Sequence, residues 1–211
     1  MKLNKLLASL VLAGIMSTNA MAQENLSITI LTPSQIKQVI GDAPAAGSKE
    51  EAADYKAILD WQDKRTVEQC EFAAAQDSAN LKTLFVANNG PLSEKEGKTM
   101  EILLFKKYAE AGLNIYLAKK QYNRPRPYDA NPEVKPCIPL ETSSAYPSGH
   151  AAIAQFFANE LSDYYPERRA AFMKRAKESA MNRVIGGVHH PSDVVAGMKL
   201  GDVLYKLLKE K

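Results

Sequence analysis

The chain has 211 residues, 45% of them hydrophobic, with 27 Lys and Arg against 24 Asp and Glu. That length is ample for one buried core. The near-neutral balance gives charge no argument for nucleic acid as a partner.

The first predicted element is not part of the fold. Lys2 and Lys5 precede an apolar run from Leu6 to Met16, and Ala20 and Ala22 follow in an A-x-A arrangement. This reads as a secretory signal peptide over residues 1–22, with cleavage expected after Ala22. The run is too short to suit a membrane anchor. Lys2 and Lys5 fall in this leader and no acid does, so the 27 basic residues drop to 25 against the same 24 acids. No later segment is apolar enough to span a bilayer. The expectation is an exported chain, periplasmic or secreted, with no integral membrane segment and with residues 23–211 forming one domain.

Residues 23–47 are mixed and end in the loop-like GDAPAAGS. From Ser48 to about Leu84, richness in Ala, Glu, Lys and Gln predicts helix with breaks. Ser93 and Glu96 form a capping box. The helix after it carries Met100, Leu104, Tyr108, Ala111 and Ile115 on one stripe and runs to about Gln121. Pro125, Pro127, Pro132, Pro136, Pro139 and Pro147 then exclude a long helix over 122–147. A loop of that length in a compact domain commonly serves function. Helical periodicity resumes at Gly149, with Ile153, Phe156, Phe157 and Leu161 facing one way, and stops near Pro166. Another helix is predicted from about Glu167 to Val184. A last one spans about Pro191 to Leu208, with Val194, Val195, Met198, Val203 and Leu207 as its apolar positions. No run of alternating strand pattern appears. The fold class is all-α, without repeats.

Cys70 and Cys137 match no metal-binding spacing. In an exported chain they either pair as a disulfide or remain two separate buried thiols.

Three stretches carry chemistry. In KKQYNRPRPYD, Arg124 and Arg126 each precede a proline, which favours extended backbone. Extended backbone swings a guanidinium away from the helix surface. With Lys119 near the preceding helix end, these cations can hold an anion; alone they also fit a solvated basic surface. In PSGH, Ser148 is placed as an N-cap and Gly149 permits close approach. A helix N-terminus there suits phosphate, with His150 one turn away as a proton donor. In NRVIGGVHHPSD, Arg183 adds a guanidinium. Asp193, four residues after His189, can accept the Nδ1–H of that ring and leave Nε2 as a lone pair, which suits a nucleophile. His189, His190 and Asp193 as metal ligands form a weaker alternative, because no further carboxylate or histidine cluster completes a site.

Lys119-x6-Arg126-Pro127, then Pro147-Ser148-Gly149-His150, then Arg183-x5-His189-x3-Asp193 resemble the tripartite signature of the type 2 phosphatidic acid phosphatase superfamily. That superfamily includes bacterial class A non-specific acid phosphatases and vanadium haloperoxidases. The register is selective: Arg124-Pro125 would need a lysine at 117, where the chain has Leu117. One departure is Asn182, where the family usually has Ser before the third-motif arginine; Asn still donates a hydrogen bond.

The resemblance implies a single-domain helical bundle of the acid phosphatase/vanadium haloperoxidase type. It implies that His189 attacks phosphorus, Asp193 orients it and His150 protonates the leaving group. Lys119, Arg126, Ser148, Gly149 and Arg183 would hold the phosphate oxygens, with no cofactor and no metal. The expected activity is hydrolysis of small phosphate monoesters with an acidic optimum. The alternatives are vanadate-dependent haloperoxidase chemistry, phosphatase action on lipid phosphates and non-catalytic phosphate binding. Tyr122, Tyr128 and Tyr146 either stack on a leaving group or pack. Nucleic acid is not an expected partner, and a homo-oligomer is compatible with the sequence.

Overall fold

The computed structural model describes residues 28–209. The leader expected over residues 1–22 lies outside them. Among the described residues the regular structure is helical and contains no strand.

Five of the described helices start where a Ser or Thr side chain satisfies a free amide. Helix α1, Pro33–Ile40, has Thr32 and Gln35 as a reciprocal capping box. It lies in the stretch that sequence periodicity left unassigned, because eight residues with only Ile36 and Ile40 buried carry too little pattern. Ser48 caps α2, Lys49–Lys64, and Thr66 with Gln69 caps α3, Val67–Ala75. A π-helical turn spans Lys82–Val86. Ser93 and Glu96 cap α4, Glu94–Gln121, as their spacing predicts. A single turn, α5, Pro127–Ala130, interrupts the proline-rich loop. Helix α6, Gly149–Tyr164, is capped by Ser148. A 3-10 turn at Pro166–Arg168 leads into α7, Arg169–Ile185, and α8, Pro191–Leu208, completes the chain.

Helix α6 is the axis of the bundle. Every residue from His150 to Ser162 is buried, where the sequence pattern marks only one apolar face. Helices α7 and α8 pack most extensively against it, with α4 on a further side. A helix enclosed by neighbours buries its polar side as well, so Gln155 and Asn159 are satisfied by the Asp202 carboxylate of α8 at 2.8 and 2.7 Å. Glu160 meets Lys107 of α4 at 3.0 Å.

The α6–α8 contact is set by small residues. A Cβ on Gly197 would stand 2.2 Å from the Ser148 carbonyl oxygen, and one on Gly201 would stand 2.4 Å from that of Ala152. The face of α8 turned to the core therefore runs through Ala196, Gly197, Leu200, Gly201, Leu204 and Leu208. The sequence pattern selects larger side chains instead, and of these Val195 is 54% exposed. Close backbone contact needs glycine, which a search for bulky apolar residues passes over.

Cys70 and Cys137 are joined by a disulfide, with Cα atoms 5.7 Å apart. It ties α3 to the proline-rich loop. The amide of Cys137 also donates to the Gly186 carbonyl at 3.1 Å, bringing that loop against the α7–α8 turn. No described helix is long and apolar enough to cross a membrane.

Candidate active site

The three motifs meet where α4 ends and α6 and α8 begin. The Ser148 amide donates to the Asp193 carbonyl at 2.9 Å and joins the second motif to the third. Helix geometry leaves the Gly149 and His150 amides without an intrahelical acceptor. The Ser148 hydroxyl accepts from the Ala151 amide at 3.3 Å, so its cap role is formed.

Between α7 and α8 the chain turns at Gly187, whose φ of +78° favours glycine. The amides of Val188 and His189 both return to the Arg183 carbonyl, at 3.1 and 3.2 Å. This turn carries His189 back over Arg183. His189 Nδ1 lies 3.2 Å from Asp193 Oδ2, and its Nε2 lies 3.0 Å from Arg126 Nη1. An ionised carboxylate only accepts hydrogen bonds, so Nδ1 carries the proton and Nε2 presents its lone pair. Burial is the largest influence on this ring. With Arg126 and Lys119 it outweighs Asp193 and pushes the imidazole down to about 3. The ring is neutral at ordinary pH.

Asp193 is itself held from several directions. Its Oδ2 also accepts from the His190 amide at 2.8 Å and lies 3.0 Å from His190 Nδ1. Its Oδ1 accepts from Arg124 Nη1 at 2.6 Å. Arg124 then reaches Asp54 of α2 through Nη2 at 2.9 Å and Ser192 Oγ through Nη1 at 2.7 Å. The Ser192 amide closes the network on Asp54 at 3.0 Å. Burial raises the Asp193 carboxyl, and the histidine contacts more than offset it, holding it below the usual carboxylate range.

Arg126, beside Nε2, and Arg183 are both buried. As the Arg–Pro pairing predicts, Arg126 has extended backbone, with φ −67° and ψ 153°. Lys119 lies in the last turn of α4, and burial, followed by Arg126, pushes its ammonium down to about 8. His150 is buried, and its Nε2 has no partner among the described atoms; the same holds for Arg183 Nε. Buried polar atoms are ordinarily paired. Burial, then Arg183, pushes His150 down to about 3. At mildly acidic pH burial and Arg183 by themselves therefore keep the ring neutral.

The loop supplies further groups. Glu141 bridges the two guanidinia, accepting from Arg126 Nη2 at 2.6 Å and from Arg183 Nη2. Tyr146 and Tyr122 have structural partners: their hydroxyls donate to the Ile40 and Gly41 carbonyls at 2.6 and 2.8 Å, and their rings meet edge to face. Asn182 turns its amide to Gln76 at 2.8 Å rather than to the site. Among the described residues no group of three or more His, Cys, Asp or Glu is arranged to hold a metal ion.

Asp54, Glu141, Ser192 and the role of Arg124 escape sequence reasoning. Arg124 is visible as a basic residue before proline, but nothing local connects it to a carboxylate 70 positions earlier. Glu141 is a lone acid in a long loop.

The PAP2 superfamily model matches residues 102–209, which contain all three motifs. The chain belongs to the PAP2 superfamily. This PAP2 chain is 37% identical over 111 residues to a non-specific acid phosphatase of Providencia stuartii, covering 50% of this chain and 45% of that protein. It is 38% identical over 98 residues to a non-specific acid phosphatase of Salmonella typhimurium, covering 44% and 38%. It is also 31% identical over 102 residues to a lipid A 1-phosphatase of Rhizobium etli, covering 46% and 44%. The match thus spans less than half the length of each relative. Among solved structures, a transmembrane PAP2-type phosphatidylglycerolphosphate phosphatase from Bacillus subtilis superposes with a TM-score of 0.59 at 22% identity, over 78% of this chain and 87% of that one. That likeness is one of fold.

Proposed function

We propose that this PAP2 protein is an exported, metal-independent acid phosphatase that hydrolyses phosphate monoesters through a phosphohistidine. The observation that carries the reading is His189. Its Nδ1 faces Asp193 and its Nε2 lies beside Arg126, so a neutral, oriented lone pair stands next to a cationic pocket. The relatives named as non-specific acid phosphatases support phosphate ester hydrolysis as the reaction.

In the proposed reaction, His189 Nε2 attacks phosphorus while Lys119, Arg126, Ser148, the Gly149 amide and Arg183 hold the oxygens. These groups stabilise the charge that spreads over the oxygens in the transition state. Asp193 stabilises the ring as it gains positive character. His150 protonates the leaving alcohol and then takes a proton from the hydrolytic water. Burial and Arg183 by themselves keep His150 neutral. A substrate that binds as the monoanion brings one proton with it; once that proton passes to His150, the dianion left behind opposes Arg183 and holds the ring protonated. A phosphate ester carries that proton only below its second pKa, about 6. Activity is therefore expected to fall above that value.

Three cations supply the charge neutralisation that a metal would otherwise bring, so turnover is expected to persist in chelator. Vanadate, which adopts the geometry of the transition state, should inhibit. Export is supported by the leader sequence and by the Cys70–Cys137 disulfide, which suits an oxidising compartment. The lipid A 1-phosphatase relative favours lipid phosphates as a second substrate class.

The test is a panel of p-nitrophenyl phosphate, a nucleoside monophosphate and a dispersed lipid phosphate, with and without chelator, across pH. His189→Ala should abolish turnover, and wild type quenched in denaturant and held at alkaline pH should retain the labelled phosphoryl group of a radioactive substrate on His189 and lose it in acid. Turnover by His189→Ala would rule out this nucleophile.

A further inference from the structure

The cations assigned to phosphate are all bonded to one four-residue stretch of the chain, Glu141 to Ser144. Lys119 Nζ donates to the Ser144 carbonyl at 2.6 Å. Arg126 donates through Nε to the Ser143 carbonyl at 2.8 Å and through Nη2 to the Ser143 hydroxyl at 3.0 Å. The same Nη2 meets one carboxylate oxygen of Glu141 at 2.6 Å, and Arg183 Nη2 meets the other. Two oxygens of one anion thus bridge two buried guanidinia. Two phosphate oxygens would need the same guanidinia, beside the His189 ring nitrogen that lies 3.0 Å from Arg126.

We propose that Glu141 is an internal competitor for the phosphate site and sets its affinity for every anion that enters. The inference rests on the Arg126–Arg183 pair being the phosphate site of the proposed reaction. The backbone of Glu141 is fixed in place. Tyr128 donates its hydroxyl to the Glu141 carbonyl at 2.6 Å and accepts from the Glu141 amide at 3.0 Å. The side chain, by contrast, is half-buried and held only through its carboxylate. Rotation of that side chain frees the N–H groups that both arginines turn to Glu141, without moving the loop or the bonds of Arg126 to Ser143. An anion binds the fraction of molecules in which the carboxylate has turned away, so its apparent dissociation constant is the intrinsic one divided by that fraction. The factor is the same for every anion that needs both guanidinia. On product release the returning carboxylate takes the place of phosphate as the bridge between Arg126 and Arg183, beside the Asp77 carboxylate that lies 3.4 Å from Arg183.

The measurement is calorimetric titration of inorganic phosphate and of sulfate into wild type, Glu141→Gln and Glu141→Asp. Both variants keep a polar side chain; the shorter Asp retains the charge but cannot bridge both guanidinia. Each variant should bind both anions more tightly, by one common factor on the order of tenfold to a hundredfold. Unchanged or weaker binding, or clearly different factors for the two anions, would overturn the proposal and make Glu141 a support that orients the arginines. Should Glu141→Gln fail to fold, Glu141→Asp gives the same reading. Binding does not require turnover, so a wild type that hydrolyses no ester would sink the phosphatase reading while the anion comparison still decided the role of Glu141.

Discussion

At the scale of single residues, the site is a set of charges whose behaviour is governed by burial. Arg124 shows this most directly. It joins Asp54 to Asp193 with its side chain only 5% exposed, and Asp193 in turn holds His189. Removing it leaves two buried carboxylates without their cation, a change that costs about 3–5 kcal/mol in comparable pairs. Arg124→Gln should therefore lower the melting temperature and cut kcat by about a hundredfold, since a misplaced ring loses its line of attack. KM should move much less, because Arg124 is not among the phosphate-holding groups. Steady-state kinetics at fixed pH check that split. Lys119 gives a pH prediction. Burial and Arg126 place its ammonium at about 8. As pH rises through that value the site loses a positive charge, so KM for a phosphate ester should increase. Lys119→Arg, which stays charged at any working pH, should lack that rise even if its affinity is weaker throughout.

At the scale of elements, the relation between α6 and α8 decides whether the motifs meet. Ser148 begins α6, Asp193 begins α8, and the Ser148 amide bonds to the Asp193 carbonyl. Gly197 lets the two backbones approach, since a Cβ there would collide with the Ser148 carbonyl oxygen at 2.2 Å. Gly197→Ala should cost about 1–3 kcal/mol and should also weaken phosphate binding, because the strain is relieved by moving the cap of α6. Thermal melts with and without phosphate test both parts. If only the melting temperature shifts, α6 has repacked without disturbing its N-terminus. Much at this scale is legible in sequence: Ser93 and Glu96 mark the start of α4, and Pro191 marks that of α8. The glycine face of α8 is not, because glycine reads as a helix weakener until a partner backbone is known.

At the scale of the whole molecule, burying so many ionisable groups makes stability depend on pH. An unfolded histidine takes up its proton near pH 6.5. In the fold, burial keeps His150 and His189 neutral down to about 3. Between those values the unfolded chain binds more protons, so stability falls as pH drops from about 6.5 toward 3. Each imidazole contributes about 1 kcal/mol per pH unit. Glu96, pulled to about 2 by Arg168, adds to the loss below pH 4. So do Asp193, which its histidine hydrogen bonds hold low, and Glu141, which His189, Arg126 and Arg183 hold low, each against the opposing effect of burial. The phosphate-free protein should lose melting temperature steadily on acidification, and phosphate should flatten the curve by favouring protonated His150. A melting temperature constant from pH 6.5 to 4 would contradict this account.

The all-α class, most helix boundaries and the family are legible in the order of residues alone, because capping, periodicity and motif spacing are properties of neighbouring residues. That order also singled out Lys119, Arg126, Ser148, Gly149, His150, Arg183, His189 and Asp193. Folding was needed to show that Cys70 and Cys137 pair, that Tyr122 and Tyr146 have structural hydrogen-bond partners and that burial keeps His150 neutral. It alone brought Asp54 to Ser192 across 138 positions and set Glu141 between Arg126 and Arg183. Those outcomes depend on desolvation and on charge pairing between distant segments. Neither quantity exists until the chain has folded and water has been removed from between its parts.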